Sequence, residues 1–580
     1  MPTPFVNERF TFANPDGSTV QVIGSGNQFF AHFETEDGYT VIKDPQSGFY
    51  TYAETSNDNS RLLPVNNGIV GQADPEALNL EKHVRVSASA ARGIARASEL
   101  AQGAEPRWKK RREEKKILQI KNMEAGLRSG PMLAPTVGIY VGLCILIEFP
   151  DVPQSINRQE VIDFCNSTGY SGYGNNGSVK DYFFDNSRGR LTYTNVVTQY
   201  YRASQNRSYY TDPAVAFGTR ARQLIVEALD HFKAQGFNFN QLTADGSGYI
   251  YALNVFYVGE RVNNWSEGLW PHQWGLASPF DAGGGKKFSD YQITNMGSSL
   301  TLRTFCHENG HMICSFPDLY DYASDGISSS GIGHFCLMCY GGNNLNPVQV
   351  GAYLKNEAGW STNLTTIYPG IIAHLNAANN DFYIHAKSAT EYFIIENRQK
   401  TGRDSFLPDS GLAIWHVDET GSNSNEQMTA AQHYECSLEQ ADNRFDLEHG
   451  ANTGDANDLF GALGNTQFND STSPNSKWWD GSNSDLKISE ISAPAAIMTF
   501  KAFGVAGWVY GKNVSYVSGD SNTNWAHTII EGFAGWRRIK PTSSDGITNM
   551  LIILKTAVAY NKKVNILFEA TGEVSGVYMS

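Results

Sequence analysis

One short stretch of the chain carries residues that can bind a metal ion. His307, Glu308 and His311 form the pattern H-E-x-x-H, and on a helix the two histidines lie on one face because they are four residues apart. That spacing aims two imidazole nitrogens at one point and places a carboxylate beside it. The pattern therefore predicts a zinc ion held by the two histidines, with Glu308 as the base that takes a proton from a metal-bound water.

A catalytic zinc normally has three protein ligands and one open position, so a third ligand is needed. Pro317 ends the helix, and Asp318 follows seven residues after His311. A chain that leaves the helix there can return a carboxylate to the metal. We expect Asp318 to be the third ligand, with Asp321 as the alternative.

The residues around the motif predict a buried helix. Apolar side chains precede and follow it, namely Leu300, Leu302, Phe305, Cys306, Met312 and Ile313. A glutamate and two histidines are costly to bury without a partner such as a metal. The surroundings therefore favour a metal site over a purely structural pair of histidines.

Further motifs resemble the immune-inhibitor-A-like family of secreted zinc metalloproteases, which are relatives of the metzincins. After H-E-x-x-H come Pro317-Asp318-Leu319-Tyr320-Asp321, Leu337-Met338-Cys339-Tyr340-Gly341-Gly342, Asn346-Pro347 and Gly359-Trp360. The resemblance covers roughly residues 10 to 500. Two positions depart from the family pattern: Cys314 stands where the family usually has Gly, and the Pro-Asp pair comes one residue later.

The resemblance implies roles for individual residues. His307, His311 and Asp318 would hold the zinc, and Met338 would form a methionine turn under the metal. Tyr340 corresponds to a tyrosine that steadies the tetrahedral oxyanion in some metzincins, although a core tyrosine beside a Gly-Gly turn is the alternative.

Residues 1–82 alternate like a β meander, with predicted strands at 19–22, 28–33, 39–43 and 49–53. The segment at residues 33–45 resembles the amino-terminal part of the same family, which implies a propeptide. No cysteine precedes Cys144, so a cysteine switch onto the zinc is excluded. Residues 83–135, with the basic run Lys109–Arg112, predict either a solvated helix or a linker open to activating proteolysis.

Residues 136–365 form the expected catalytic domain. Val137 to Phe149 predict a buried central strand, and Val215 to Gln235 predict a helix. Tyr249 to Val258 predict a strand, and the resemblance implies an edge strand that aligns the peptide substrate. His272 could touch substrate or metal, or it could be structural.

Residues 366–504 are β-rich and include His416, which we expect to be structural. A loop with Asp442, Asp446, Asp455 and Asp458 predicts either a calcium site or a solvated acidic loop. Residues 505–580 form a small accessory module with strands and one helix. The patch at residues 536–540 of this module suits a glycan, a surface or a protein partner, or is a solvated sheet edge.

The totals restrict the class of protein. The 580 residues exceed one core, and a net charge of −14 argues against a nucleic-acid partner. No apolar run is long enough to span a membrane, and no signal peptide is present in this sequence, so export would use a removed signal or another route. The seven cysteines permit Cys306–Cys336 or Cys314–Cys339 bridges, or a cysteine-rich metal site.

These observations predict an α+β multidomain protein with a metzincin-like catalytic domain, an N-terminal β-rich prodomain and C-terminal β domains. The expected function is that of a secreted zinc endopeptidase, made as a zymogen, that acts on protein and peptide substrates. A zinc hydrolase of a non-peptide amide or ester is one alternative. A catalytically silent binding or adhesion protein is the other.

Overall fold

The computed structural model shows a mixed α and β protein built from five sheets. It describes residues 4–101, 105–124, 135–321, 329–368, 370–423, 428–461, 465–502, 507–519, 526–530, 536–540, 546–569 and 573–579. Because each sheet buries at least one face, the chain forms several layers around three apolar clusters.

The N-terminal sheet is the predicted meander, with six strands in chain order instead of the four that the sequence predicts. They are β1 (Phe5–Ala13), β2 (Thr19–Gly26), β3 (Ala31–Glu34), β4 (Thr40–Lys43), β5 (Tyr50–Thr55) and β6 (Leu62–Ile69). Phe10, Phe12 and Phe33 form an aromatic cluster on the buried face. Trp270 of the following domain joins this cluster, so the sheet packs directly on residues 136–365.

Two helices follow: α1 (Ala88–Ala101) and α2 (Arg107–Glu124). The expectation of a solvated helix is wrong for the first two turns of α2, where Trp108 and Arg112 are only 5% and 8% exposed. Proteolytic access at the basic run Lys109–Arg112 is also not supported, because Arg112 is buried against the later domains. Residues 102–104 and 125–134 lie outside the described residues, so cleavage there stays a prediction.

The next domain has a five-stranded sheet with helices packed on it. Its elements are β7 (Gly138–Glu148), α3 (Arg158–Asn166), α4 (Val179–Ser187), β8 (Leu191–Arg202), α5 (Arg207–Tyr210), α6 (Thr219–Ala234), β9 (Leu253–Tyr257), β10 (His272–Gly283), β11 (Lys286–Asn295), α7 (Leu302–Cys314) and α8 (Ala352–Glu357). The strand order is β10-β11-β9-β7-β8. Only the β10–β11 pair is antiparallel among these four pairings.

The predicted edge strand is wrong, because β9 lies in the middle of this sheet between β11 and β7. All five of its residues are buried. A strand that is buried on both faces needs apolar side chains at every position, as the sequence LNVFY has, whereas an edge strand is more polar. The strands at the two edges are β10 and β8.

Helix α7 carries the H-E-x-x-H motif and is buried along almost its whole length. Phe305, two residues before the motif, packs against Phe164 of α3 and Phe256 of β9, with ring centroids 5.6 Å and 5.4 Å apart. These contacts hold the helix against the sheet and fix which face carries the histidines.

Two further sheets follow. Their strands are β12 (Asn363–Thr366), β13 (Ile372–Asn376), β14 (Asp381–Ala386), β15 (Glu391–Arg398), β16 (Gly411–Asp418), β17 (Cys436–Leu438), β18 (Phe468–Asn469), β19 (Lys487–Ser489) and β20 (Ile497–Ala502). The first sheet has the order β12-β14-β15-β16-β17 and the second β13-β20-β19-β18. In β15, Tyr392 and Ile394 face the catalytic-domain core, whereas Phe393 and Ile395 face the second sheet. The first sheet is therefore a central layer, buried on both sides.

The C-terminal module packs on the second of these sheets and shares its apolar core. It contains β21 (Gly507–Lys512), β22 (Val514–Gly519), β23 (Ala526–Ile530), β24 (Arg537–Ile539), α9 (Gly546–Ala559), β25 (Val564–Phe568) and β26 (Val574–Met579). Arg537 donates a hydrogen bond to the Gly370 carbonyl at 2.7 Å. Trp536 and Tyr516 are exposed, with ring centroids 6.5 Å apart. A glycan or surface ligand of this module stays a prediction.

All seven cysteines are free thiols, so neither of the two bridges that the sequence permits is formed. The Cys339 thiol instead donates to the Ser330 carbonyl at 3.3 Å. Among the described residues, no helix is both long and apolar enough to cross a bilayer.

Candidate metal centre

The two histidines of α7 converge on one point. Their rings lie 4.8 Å apart, one helical turn along the buried face, and the two Nε2 atoms are 3.1 Å apart. Both side chains are almost completely buried. The predicted arrangement of two imidazoles on one helix face is therefore present.

Backbone carbonyls orient both rings. His307 Nδ1 lies 2.9 Å from the Leu337 carbonyl, and His311 Nδ1 lies 2.7 Å from the Phe316 carbonyl. Since a carbonyl only accepts, each Nδ1 must carry the proton, and each neutral ring is left with an Nε2 lone pair. Two acceptors at 3.1 Å repel each other unless a cation lies between them. The donor set thus fits a zinc ion, which binds neutral imidazole nitrogens.

A reversal of the chain after α7 brings a carboxylate to the same point. Ser315 caps the helix in the left-handed conformation, with φ 57° and ψ 32°. Asp318 Oδ1 then lies 3.0 Å from His307 Nε2 and 3.2 Å from His311 Nε2. The three atoms form the tight triangle that a tetrahedral ion requires of its ligands.

The same turn explains both departures from the family pattern. The left-handed residue is Ser315, one position after Cys314, so the helix keeps one more residue before it turns. The Pro-Asp pair is displaced by the same one residue, which leaves Asp318 beside the histidines. Asp321, the alternative ligand, instead accepts a hydrogen bond from the Ser329 backbone N–H at 3.2 Å.

Glu308 lies next to this triangle with its carboxylate buried. Its carboxylate oxygen Oε1 is 3.9 Å from His307 Nε2. Among the described residues, that oxygen has no hydrogen-bond partner. Burial raises the pKa of Glu308 to about 8, although His307 opposes the shift. A buried carboxylate oxygen without a partner is costly, so its position suits a group that handles a proton of a bound water.

Met338 packs directly beneath the motif. Its side chain is fully buried, and a Cβ at Gly310 would come within 2.8 Å of its sulfur. Only glycine fits at position 310 without displacing one of the two. The predicted methionine turn thus lies against α7, and the Met338 carbonyl also accepts a hydrogen bond from the Leu319 N–H at 2.8 Å.

Tyr340 lines a different cavity from the one that contains Asp318. That cavity, of about 840 Å³, is also lined by His334, Arg303 and the first residues of the N-terminal strand. Burial raises the pKa of Tyr340 far above its usual value. These surroundings match the alternative of a packed tyrosine, and the oxyanion role stays a prediction.

The other two histidines of interest are held by polar partners away from the metal ligands. His272 Nδ1 lies 2.7 Å from the Trp270 carbonyl, and its Nε2 is 2.9 Å from the Tyr291 hydroxyl. His416 lies between Glu391 and Glu439, at 3.5 Å and 3.3 Å. Both arrangements agree with the structural interpretation of these residues.

Helix α2 covers the metal ligands, which the sequence did not predict. Trp108 stacks on His311 with ring centroids 4.4 Å apart and an interplanar angle of 21°. Its backbone N–H donates to Asp290 at 2.9 Å, and its indole N–H donates to Gln273 at 3.3 Å. A large aromatic residue within a run of charges is unusual for a solvated helix, and this was the signal available in the sequence.

A second cluster of acidic side chains lies in the downstream domain. Asp442, Asp455 and Asp458 each place a carboxylate oxygen within 4.8 Å of the others. Asn452 donates to Asp455 and to Asp446, at 2.6 Å and 3.4 Å. The cluster has the oxygen donors that calcium prefers, and calcium binding there stays a prediction.

Comparison with known proteins supports the broad class. Proteins named pre-pro-metalloprotease PrtV, from two strains of Vibrio cholerae serotype O1, are each 25% identical to this chain over 257 residues. The match covers 36% of this chain and only 28% of each relative. No protein-family model matches the chain. This distant similarity supports a metalloprotease at the level of class, and therefore a hydrolase with a metal cofactor.

The buried His272 predicts a dependence of stability on pH. Burial lowers its pKa from 6.5 to about 4, although the hydrogen bond to Trp270 opposes this shift. Between these values the unfolded chain binds a proton that the folded chain does not, so stability falls as the pH falls from about 6.5 to about 4. The full effect is about 3 kcal/mol. We expect His272→Gln to lose less of its melting temperature than the wild type between pH 7 and pH 5.

The exposed His374 provides the control. His374→Gln should keep the wild-type difference in melting temperature between the two pH values. An unchanged acid loss in His272→Gln would contradict the assignment of a neutral, buried imidazole at position 272.

Proposed function

We propose that this protein is a secreted, zinc-dependent endopeptidase that hydrolyses peptide bonds in proteins and is made as a latent precursor. One observation carries the proposal. His307 Nε2, His311 Nε2 and Asp318 Oδ1 meet within 3.2 Å of one another, with both imidazoles held in the tautomer that exposes Nε2. Such a triangle of one anion and two neutral acceptors calls for a cation.

The mechanism follows from the residues around that triangle. His307, His311 and Asp318 would hold a zinc ion, which supplies a Lewis acid and lowers the pKa of a bound water to about 7. Glu308 accepts the proton of the attacking water and delivers it to the leaving amine. Burial suits Glu308 to this task, because its raised pKa lets the carboxyl group both take and give a proton near neutral pH.

Helix α2 provides the latency. Residues 4–124, called the prosegment below, place Trp108 on the ring of His311 and cover the side of the site where α2 runs. Arg111 donates to the Met312 carbonyl at 2.5 Å and to the Ser315 hydroxyl at 3.2 Å, so a cation also caps the end of α7. The relatives' printed name, pre-pro-metalloprotease, agrees with a precursor form.

The general base and the ligands can be separated by substitution. Glu308→Gln should retain about one zinc per chain and lose casein hydrolysis by about 100- to 10,000-fold, because it removes only the proton acceptor. Asp318→Asn should lose zinc, whereas Asp321→Asn should keep it. Zinc is measured by atomic absorption, and hydrolysis is measured after the prosegment has been cut.

Two results would contradict the proposal. Wild-type protein without zinc would refute the metal centre. Zinc in the wild type without cleavage of any protein substrate would exclude the peptidase and leave the non-peptide hydrolase or the silent binding protein.

Latency can be tested in the uncut chain. Trp108→Ala removes the ring that lies on His311, and we expect basal casein hydrolysis to rise by at least about tenfold, since a buried tryptophan contributes several kcal/mol to packing. Trp536→Ala, at an exposed tryptophan of the C-terminal module, is the matched control and should leave basal hydrolysis unchanged. Basal hydrolysis that does not rise in a folded Trp108→Ala protein would show that α2 does not inhibit.

The acidic cluster of the downstream domain has its own test. If Asp442, Asp455 and Asp458 bind calcium, millimolar calcium chloride should raise the melting temperature by several degrees, because a ligand of the folded state stabilises it. Asp455→Asn should remove this shift, whereas Asp480→Asn, in an exposed turn, should retain it. An equal shift in Asp455→Asn would exclude the site.

A further inference from the structure

Arg112 of α2 lies in a pocket made by later parts of the chain. Its guanidinium donates to the Ser315 carbonyl at 3.3 Å, to Glu357 at 3.0 Å and to the Tyr353 hydroxyl at 2.9 Å. It also forms an ion pair with Glu435. These four groups, the acidic pocket below, surround a side chain that is only 10% exposed.

The acidic pocket is next to the metal ligands. Ser315 lies one helical turn after His311, and Arg112 lies one turn after Trp108, so two parallel contacts join α2 to α7. A cavity of about 810 Å³ is lined by Trp108, Arg112, Asp318 and Glu435 together. A substrate that reaches Asp318 in this cavity therefore also reaches Glu435.

Every cation that neutralises the pocket comes from the prosegment. Glu357 forms ion pairs with Arg112 and Lys115, and Glu435 with Arg112 and Lys116. Within the described ranges, neither carboxylate has an ion pair with a residue after position 124. Both glutamate side chains are 7% exposed or less. When α2 leaves, two largely buried carboxylates lose their partners, and this is costly unless another cation enters.

We propose that the acidic pocket is a substrate subsite that takes an arginine or lysine side chain, so that the enzyme acts on cationic segments of proteins. This inference rests on the proposed peptidase function. The prosegment occupies the subsite with Arg112 in the way that a substrate does, and the fork of the guanidinium matches two carboxylates and a hydroxyl. A helix fills the cleft in the latent form, whereas the subsite itself selects only the side chain.

The acidic pocket also explains why the cleft side of α2 is basic. Asp245 on the opposite flank of Trp108 pairs with Arg107 at 3.3 Å and lies 3.9 Å from Arg111. Acidic groups thus lie on both sides of the metal ligands. A peptide with several basic residues would be attracted to such a surface and held across it.

The test uses the full chain with Trp108→Ala and with the recognition sequence of a site-specific protease inserted within residues 125–134. This cut replaces trypsin, which itself cleaves after lysine and arginine and would hide the result. The chain is offered paired peptides that differ only by arginine against citrulline at each position, and the products are mapped by mass spectrometry. We expect arginine at one position relative to the cut bond to raise kcat/KM by at least about tenfold.

Substitutions connect this preference to the pocket. Glu435→Gln and Glu357→Gln should each reduce the discrimination between arginine and citrulline to within about twofold. Glu267→Gln is the matched control, because Glu267 pairs with Lys43 of the N-terminal sheet, and it should retain the full discrimination.

Binding gives a second readout that does not need catalysis. In the cut chain with Glu308→Gln, fluorescence anisotropy should show the arginine peptide binding at least about tenfold more tightly than its citrulline counterpart. Cleavage without preference would overturn the subsite and leave the peptidase intact, with Arg112 serving only as an ionic latch. Selective binding without cleavage in the active form would refute the peptidase but support cation recognition, and neither cleavage nor selective binding would refute both.

Discussion

The structure depends on three acceptor atoms that are forced together. Two imidazole nitrogens and one carboxylate oxygen lie within 3.2 Å of one another in the interior, although none of them can donate a proton to the others while both Nδ1 atoms serve backbone carbonyls. Such a group is stable only around a cation. The buried helix, the left-handed turn at Ser315 and the methionine beneath Gly310 all serve to hold this geometry.

A second electrostatic relationship links the ends of the chain. Basic side chains of α2 fill an acidic cleft whose walls come from residues more than 200 positions later. Aromatic stacking of Trp108 on His311 places this charge complementarity directly over the metal ligands. Because the same carboxylates are exposed when α2 leaves, one set of charges can account for both latency and substrate choice.

The β layers support this centre from behind. The central sheet of the downstream domain is buried on both faces, with one face on the catalytic core and the other on the second sheet. Within it, Arg398 is fully buried and pairs with Asp404 at 3.0 Å and with the Phe335 carbonyl at 3.1 Å. Phe335 begins the segment that leads to Met338, so the downstream domain helps to position the turn under α7.

The sequence by itself determined the local chemistry. The four-residue spacing of His307 and His311 predicts two ligands on one helix face, and alternating or continuous apolar runs predict most strands, because both depend on near neighbours in the chain. Only the tertiary structure decided between Asp318 and Asp321, placed β9 inside its sheet, separated Tyr340 from the cavity of Asp318, and left the cysteines unpaired. It also turned a charged run into the cover of the site, because such contacts join residues far apart in sequence whose geometry no local pattern encodes.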